Sequence, residues 1–178
     1  GQGTAIRRCY ELLKGHQSTL FFVNTRDTAE FLSSRLAAWY QDPTIGVHHG
    51  SLSKDIRIQM EDDFKAGHLR ALVCTSSLEL GIDVGSIDLV CQIQSPKSVS
   101  KGLQRVGRAG HLLDATSEGR LFVTDRDDLV ESAVLVKAIL DGQIDTTHIP
   151  NNCLDVLAQH IVGAVAADDW GADELFDL

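Results

Sequence analysis

The sequence predicts an α/β domain with a mostly parallel sheet, and three observations predict it. Short apolar, β-branched runs alternate with segments of helical period as far as residue 141. Residues suited to cap a helix, Thr25, Ser53 and Asp125, stand directly before three of the helical segments. At 178 residues and 43% hydrophobic content, the chain holds one good core and a small appended piece.

The elements follow in order. Residues 4–14 have helical spacing, closed by Gly15, and "TLFFVN" (19–24) reads as a buried strand. Thr25 caps the helix "RDTAEFLSSRLAAWYQ", whose Ala29, Leu32, Leu36 and Trp39 are expected on one face, and Pro43 ends that region. "TIGVHH" (44–49) is a second strand; Ser53 then caps "KDIRIQMEDDFKA", which Gly67 stops. Strand "RALVC" (70–74) is followed by a glycine-bearing loop, strand "DLVCQI" (88–93), a helix over 98–110, and strand "GRLFVT" (119–124). Asp125 caps a long helix over 126–141. The expected sheet has five to six strands with helices on both faces.

After Gly142 the pattern changes, and Pro150 breaks any helix crossing it. Leu154, Leu157, Ile161 and Val165 then recur at helical spacing and need a partner surface. "GADELFDL" starts another helix at the chain end, so the tail reads as truncated. The predicted division is 1–149 for the α/β domain and 150–178 for the beginning of a second.

Charge and cysteine usage narrow the function. A net charge of -9 and a pI near 5.1 argue against coating nucleic acid through bulk charge, yet leave room for one local basic groove. The four cysteines, at 9, 74, 91 and 153, show no C-x-x-C spacing; they read as reduced thiols, with no metal site. With no run of 18 apolar residues and no signal-peptide core in "GQGTAIRRCYELLKG", a soluble, cytoplasmic protein with no membrane contact is expected.

One window departs from this acidic background. Between Asp88 and Asp114 lie 25 residues with Lys97, Lys101, Arg105 and Arg108 and no carboxylate, so the remaining residues carry -13 of the total of -9. Two of these cations stand three positions apart in "QRVGRAGH" (104–111), fenced by glycine and alanine. A negative partner is expected there.

In an open α/β sheet, ligands gather at the carboxyl ends of the strands, where helix N-termini and free N–H groups point. That rule selects Asn24-Thr25-Arg26, His49-Gly50-Ser51, Thr75-Ser76 and the helix bearing residues 104–111. Taken singly, each has an ordinary reading: helix caps, a turn glycine, a loop start, and solvated arginines at i and i+3.

Taken together, "FFVNTR" (21–26), "HHGSLS" (48–53), "TSSLELGID" (75–83) and "QRVGRAGH" (104–111) resemble the motif series of the second RecA-like domain of superfamily 2 helicases. With "IPNNCLDVLAQHIV" downstream, the chain resembles the Lhr (large helicase-related) family from about residue 17 to 178. In that family the second motor domain runs into a winged-helix domain.

The resemblance implies half of an ATP-driven translocase. ATP with Mg2+ is then held mainly by a first RecA-like domain of the same parent chain, because this sequence has neither G-x-x-x-x-G-K-[ST] nor D-E-x-H. By similarity Arg108 is the arginine finger, Arg105 reaches the phosphates or braces the interface, and Gln104 senses the γ-phosphate and attacking water. Gly81 and Asp83 are expected beside the nucleotide, with Asp83 a partner for Arg105 when no nucleotide is bound. His111 stands where many relatives carry a third arginine. Arg57 and Glu79 fit the pattern as structural residues.

The nucleic-acid contacts so implied are blind to sequence: Thr25, Arg26, Gly50, Thr75 and Ser76 toward successive phosphates, extended by Lys97 and Lys101. Partners are single-stranded or partly duplex DNA or RNA, and a monomer is expected. ATP-dependent 3'-to-5' unwinding in DNA repair follows from the resemblance, with RNA:DNA hybrids as further substrates. The isolated chain is expected to lack ATPase activity. The alternative is a non-catalytic α/β nucleic-acid or protein-binding module, which has no use for a finger facing a cleft. A receiver-type domain wants acidic strand ends; these are Asn, His, Thr and Gln.

Overall fold

In a computed structural model of the chain, residues 2–79, 85–109, 118–143 and 153–177 are placed well enough to describe. Five strands, β1 (Thr19–Phe22), β2 (Ile45–His48), β3 (Ala71–Cys74), β4 (Leu89–Ile93) and β5 (Gly119–Phe122), form one sheet in the order β2-β3-β1-β4-β5. Every pairing is parallel, with Thr19 opposite both Ala71 and Leu89. Before β1 comes α1 (Gln2–Lys14). Parallel strands need crossovers, and α2 (Arg26–Tyr40), α3 (Lys54–Lys65) and α4 (Val99–Val106) lie in three of them. After β5 comes α5 (Arg126–Leu140).

The central strands β1, β3 and β4 are largely apolar because both of their faces are covered, whereas the edge strands β2 and β5 are less buried and carry His48 and Arg120. Along β1, Phe21 packs with Ile6, Cys9 and Leu13 of α1 and Leu32 and Leu36 of α2, while Leu20 and Phe22 pack with Phe64 of α3, Leu78 and Ala109. Thr25, Ser53 and Asp125 cap α2, α3 and α5 through their side chains as expected, and Ser98 caps α4.

Two expectations about helices need correction. Trp39 does not join the buried face of α2: that stripe runs Ala29, Leu32, Ser33, Leu36, and the helical period carries it to Tyr40, which stacks on Tyr10 at 3.6 Å. Trp39 is left 51% exposed. The helix predicted over 98–110 stops at Val106, so Arg105 is helical and Arg108 lies beyond its end. The two arginines therefore do not share a helical face.

Close packing fixes α4 against α5. A Cβ on Gly102 would lie 3.1 Å from Ile139 Cδ1 and 3.4 Å from Leu135 Cδ2. Gly102→Leu is expected to cost about 1–3 kcal/mol through overpacking, read as a lower midpoint in urea unfolding.

The chain forms two compact units, Gly1–Asp145 and Thr146–Leu178. The second contains α6 (Leu154–Ala167) and α7 (Ala172–Phe176), and Leu154, Leu157, Val162 and Val165 of α6 are exposed. Among the described residues no helix is long and apolar enough to cross a membrane. Cys9, Cys74 and Cys91 are buried and free, and burial pushes the Cys9 thiol up to about 12.

Candidate nucleotide and nucleic-acid interface

The carboxyl ends of β1, β2, β3 and β4 are tied together by polar side chains, and Arg105 is the centre of that network. Only 5% of its side chain is exposed. Its Nε donates to Glu79 Oε1 at 2.7 Å, its Nη2 contacts the same oxygen, and its Nη1 donates to Gln92 Oε1 at 2.7 Å and Asn24 Oδ1 at 3.4 Å. The guanidinium also lies over the Phe22 ring, 5.2 Å from its centroid. Asn24 Nδ2 in turn donates to Ser95 O at 2.9 Å.

This corrects one expectation. The arginine pair is not without a carboxylate, since Glu79 supplies one from 26 residues away in sequence. A guanidinium buried to this degree requires such internal acceptors. Asp83, the expected partner, lies with Gly81 and His111 outside the described residues.

Arg108 is placed differently. It is half-buried, and its Nε and Nη2 donate to the main-chain carbonyl oxygen of Glu79 at 3.1 and 2.5 Å. Gln104 is exposed, one residue before Arg105.

The remaining candidates line the same edge. Thr25 Oγ1 accepts from Thr28 N at 3.1 Å as the cap of α2. Arg26 is exposed, with Nη1 3.4 Å from Ser51 Oγ, so the first two loops adjoin. A Cβ on Gly50 would meet nothing within 4 Å, which leaves room for a ligand to approach the backbone. The Thr75 N–H is already used by His48 O at 3.2 Å, whereas Ser76 is exposed in a short 3-10 turn over Ser76–Leu78. Lys101 is exposed. Lys97 adopts a left-handed backbone, φ 70, and its Nζ donates to Glu131 Oε2 at 2.7 Å. That carboxylate holds the ammonium above its ordinary value.

Several residues that shape this edge were missed in the sequence. Asp128 Oδ1 accepts from Ser95 N at 2.7 Å and Glu131 Oε1 from Ser95 Oγ at 2.8 Å, fixing the loop before α4. His48, fully buried, bridges Ser77 Oγ and Glu61 Oε1, each at 2.7 Å. Gln92 carried a usable signal, a lone amide inside an apolar strand, which must find partners.

Burial lowers the His48 pKa below its ordinary 6.5, outweighing the opposing pull of Glu61. The folded state therefore binds fewer protons than the unfolded chain just below that value. Stability from this site is present above pH 6.5 and is lost as pH falls through the lowered pKa. Thermal melts from pH 7.5 to 5.5 are expected to show a downward slope that His48→Gln flattens.

A parallel sheet in this order, with polar strand ends converging beside two arginines, is the RecA-like fold of helicase C-terminal domains. The helicase conserved C-terminal domain family matches residues 4–112, and the winged helix domain of large helicase-related protein matches 137–178. An ATP-dependent helicase Lhr-Core from Methanothermobacter thermautotrophicus is 50% identical over 168 residues, 92% of this chain and 20% of that protein. The structure of Mycobacterium smegmatis helicase Lhr bound to ssDNA and AMP-PNP is 48% identical, with a TM-score of 0.91 over 97% of this chain and 23% of that one. The DUF1998 helicase MrfA bound to DNA and AMPPNP, at 21% identity and a TM-score of 0.79 over 99% of this chain and 25% of that one, shows the fold alone. The chain belongs to the Lhr helicase family. It spans about a fifth of the length of the curated relatives it matches.

Proposed function

We propose that this chain is the second motor domain of a longer ATP-dependent helicase, supplying the arginine finger and single-strand backbone contacts. The observation that carries this is the placement of Arg108, just past the end of α4, half-buried and forked onto the main-chain carbonyl of Glu79 at the carboxyl edge of the sheet, in a chain matched over residues 4–112 by the helicase conserved C-terminal domain family. Arg108 is the catalytic residue, aimed at the γ-phosphate of an ATP held by the partner domain, with Gln104 beside it and Gly81 and Asp83 along the nucleotide. The nucleotide brings the transferable phosphoryl group with its Mg2+; Arg108 donates N–H groups to the charge that develops on it.

Thr25, Arg26, Gly50, Ser76 and Lys101 face the phosphates of one strand, and Lys97 joins them by exchanging Glu131 for phosphate. Thr75 contributes its hydroxyl, its N–H being taken. In the parent the division at 149/150 leads into the winged helix, the enzyme is a cytoplasmic monomer, and 3'-to-5' unwinding of DNA or RNA:DNA hybrids in repair is the activity. The fit of the large helicase-related winged helix family to residues 137–178 supports the domain order.

Two measurements test the reading besides turnover of an Arg108 variant. Single-strand affinity is expected to be equal for unrelated sequences and to fall linearly on a log-log plot against salt. Lys101→Ala is expected to reduce that slope by about 0.7, the value for one phosphate of a single strand. The isolated 178 residues are expected to show no ATP turnover; measurable turnover would overturn the division of labour.

A further inference from the structure

We infer that Glu79 is a positioning residue for the finger, an inference that rests on the function proposed above. It uses both ends of one residue. The carboxylate is clamped by Arg105 through Nε at 2.7 Å and through Nη2, with 10% of the Glu79 side chain exposed. The main-chain carbonyl of the same residue accepts Nε and Nη2 of Arg108. Two donors of one planar guanidinium converging on one oxygen fix where the fork sits.

Position in the chain gives this clamp a further consequence. Glu79 directly follows the turn Ser76–Leu78, whose Ser76 faces the proposed strand track, and its N–H donates to Ser76 O at 3.1 Å. The turn is itself pinned from behind by Ser77 Oγ, which contacts His48. A displacement of the turn by a bound strand therefore moves the carbonyl that holds Arg108. Arg105 stays fixed to β4 through Gln92 and resists that displacement. Glu79 thus sits where strand occupancy and finger geometry meet, although it touches neither strand nor nucleotide.

The test is a mutant cycle on strand-stimulated ATP turnover by the parent helicase, with Glu79→Ala, Glu79→Gln and Arg108→Ala, alone and combined. Glu79→Ala is expected to lower kcat about 100-fold and Glu79→Gln about 10-fold, with KM for ATP and strand affinity within about twofold of wild type. In the Arg108→Ala background, neither Glu79 change is expected to lower kcat further, because the two act through one guanidinium. Should Glu79→Ala fail to fold by circular dichroism, Glu79→Gln, which keeps the acceptor oxygen and the volume, carries the cycle. In the 178-residue chain the Arg108 Nε–H nuclear magnetic resonance signal is expected to shift in Glu79→Gln, while a surface control, Glu11→Gln, leaves it in place.

The inference fails if the losses multiply, if Glu79→Gln leaves kcat unchanged, or if only KM or strand affinity moves. It falls together with the proposed function if Arg108→Ala itself keeps wild-type turnover, an outcome distinct from the others.

Discussion

Arg108→Ala in the parent helicase is expected to lower ATP turnover by about 10³–10⁵-fold, the range in which an arginine finger acts on phosphoryl transfer. Nucleic-acid affinity is expected to stay within about threefold, because the side chain forks onto Glu79 O and is not one of the proposed strand contacts. Losing the two hydrogen bonds to the Glu79 carbonyl costs about 1–3 kcal/mol, so circular dichroism is expected to show a folded variant. Arg108→Lys should be nearly as poor as alanine, since an ammonium cannot reproduce the planar fork. A binding module would show the opposite pattern, with affinity altered and no turnover to lose.

Arg105→Ala is expected to act on the fold. It strands the Glu79 carboxylate, 10% exposed, and leaves Gln92 Oε1 without its donor. Breaking a buried pair from one side costs about 3–5 kcal/mol, to be read from urea unfolding of the 178-residue chain. Replacing the pair together, Arg105→Met with Glu79→Leu, removes both desolvation penalties and is expected to be more stable than Arg105→Ala, short of wild type by about 1–3 kcal/mol, the cost of the orphaned Gln92 Oε1. Turnover of that double variant should remain low, because the carbonyl that aims Arg108 is no longer clamped. The two arginines of one short motif thus separate experimentally, one by stability and one by rate.

Much of the fold was legible because local rules suffice for it. All five strands fall inside the runs that predict them, and the clearest is "RALVC" against Ala71–Cys74, since a central strand buried on both faces is apolar throughout. Thr25, Ser53 and Asp125 announced their helices for an equally local reason: each side chain serves an N–H three residues on. The motif order and the family it implies were also in the sequence, as the matches over residues 4–112 and 137–178 show.

The fate of each charge at the strand ends was decided by tertiary structure. In sequence Arg105 and Arg108 look like equivalent members of one basic window. In the fold α4 ends at Val106, Arg105 turns inward onto Glu79 and Gln92, and Arg108 forks onto the backbone carbonyl of that same glutamate. Lys97 finds Glu131 on α5, 34 residues away, and His48 finds Glu61 and Ser77. Periodicity and capping are written in neighbouring residues, so the chain alone determined its elements and its family. Ion pairing depends on which strand ends the sheet order brings together, and no spacing along the chain contains that.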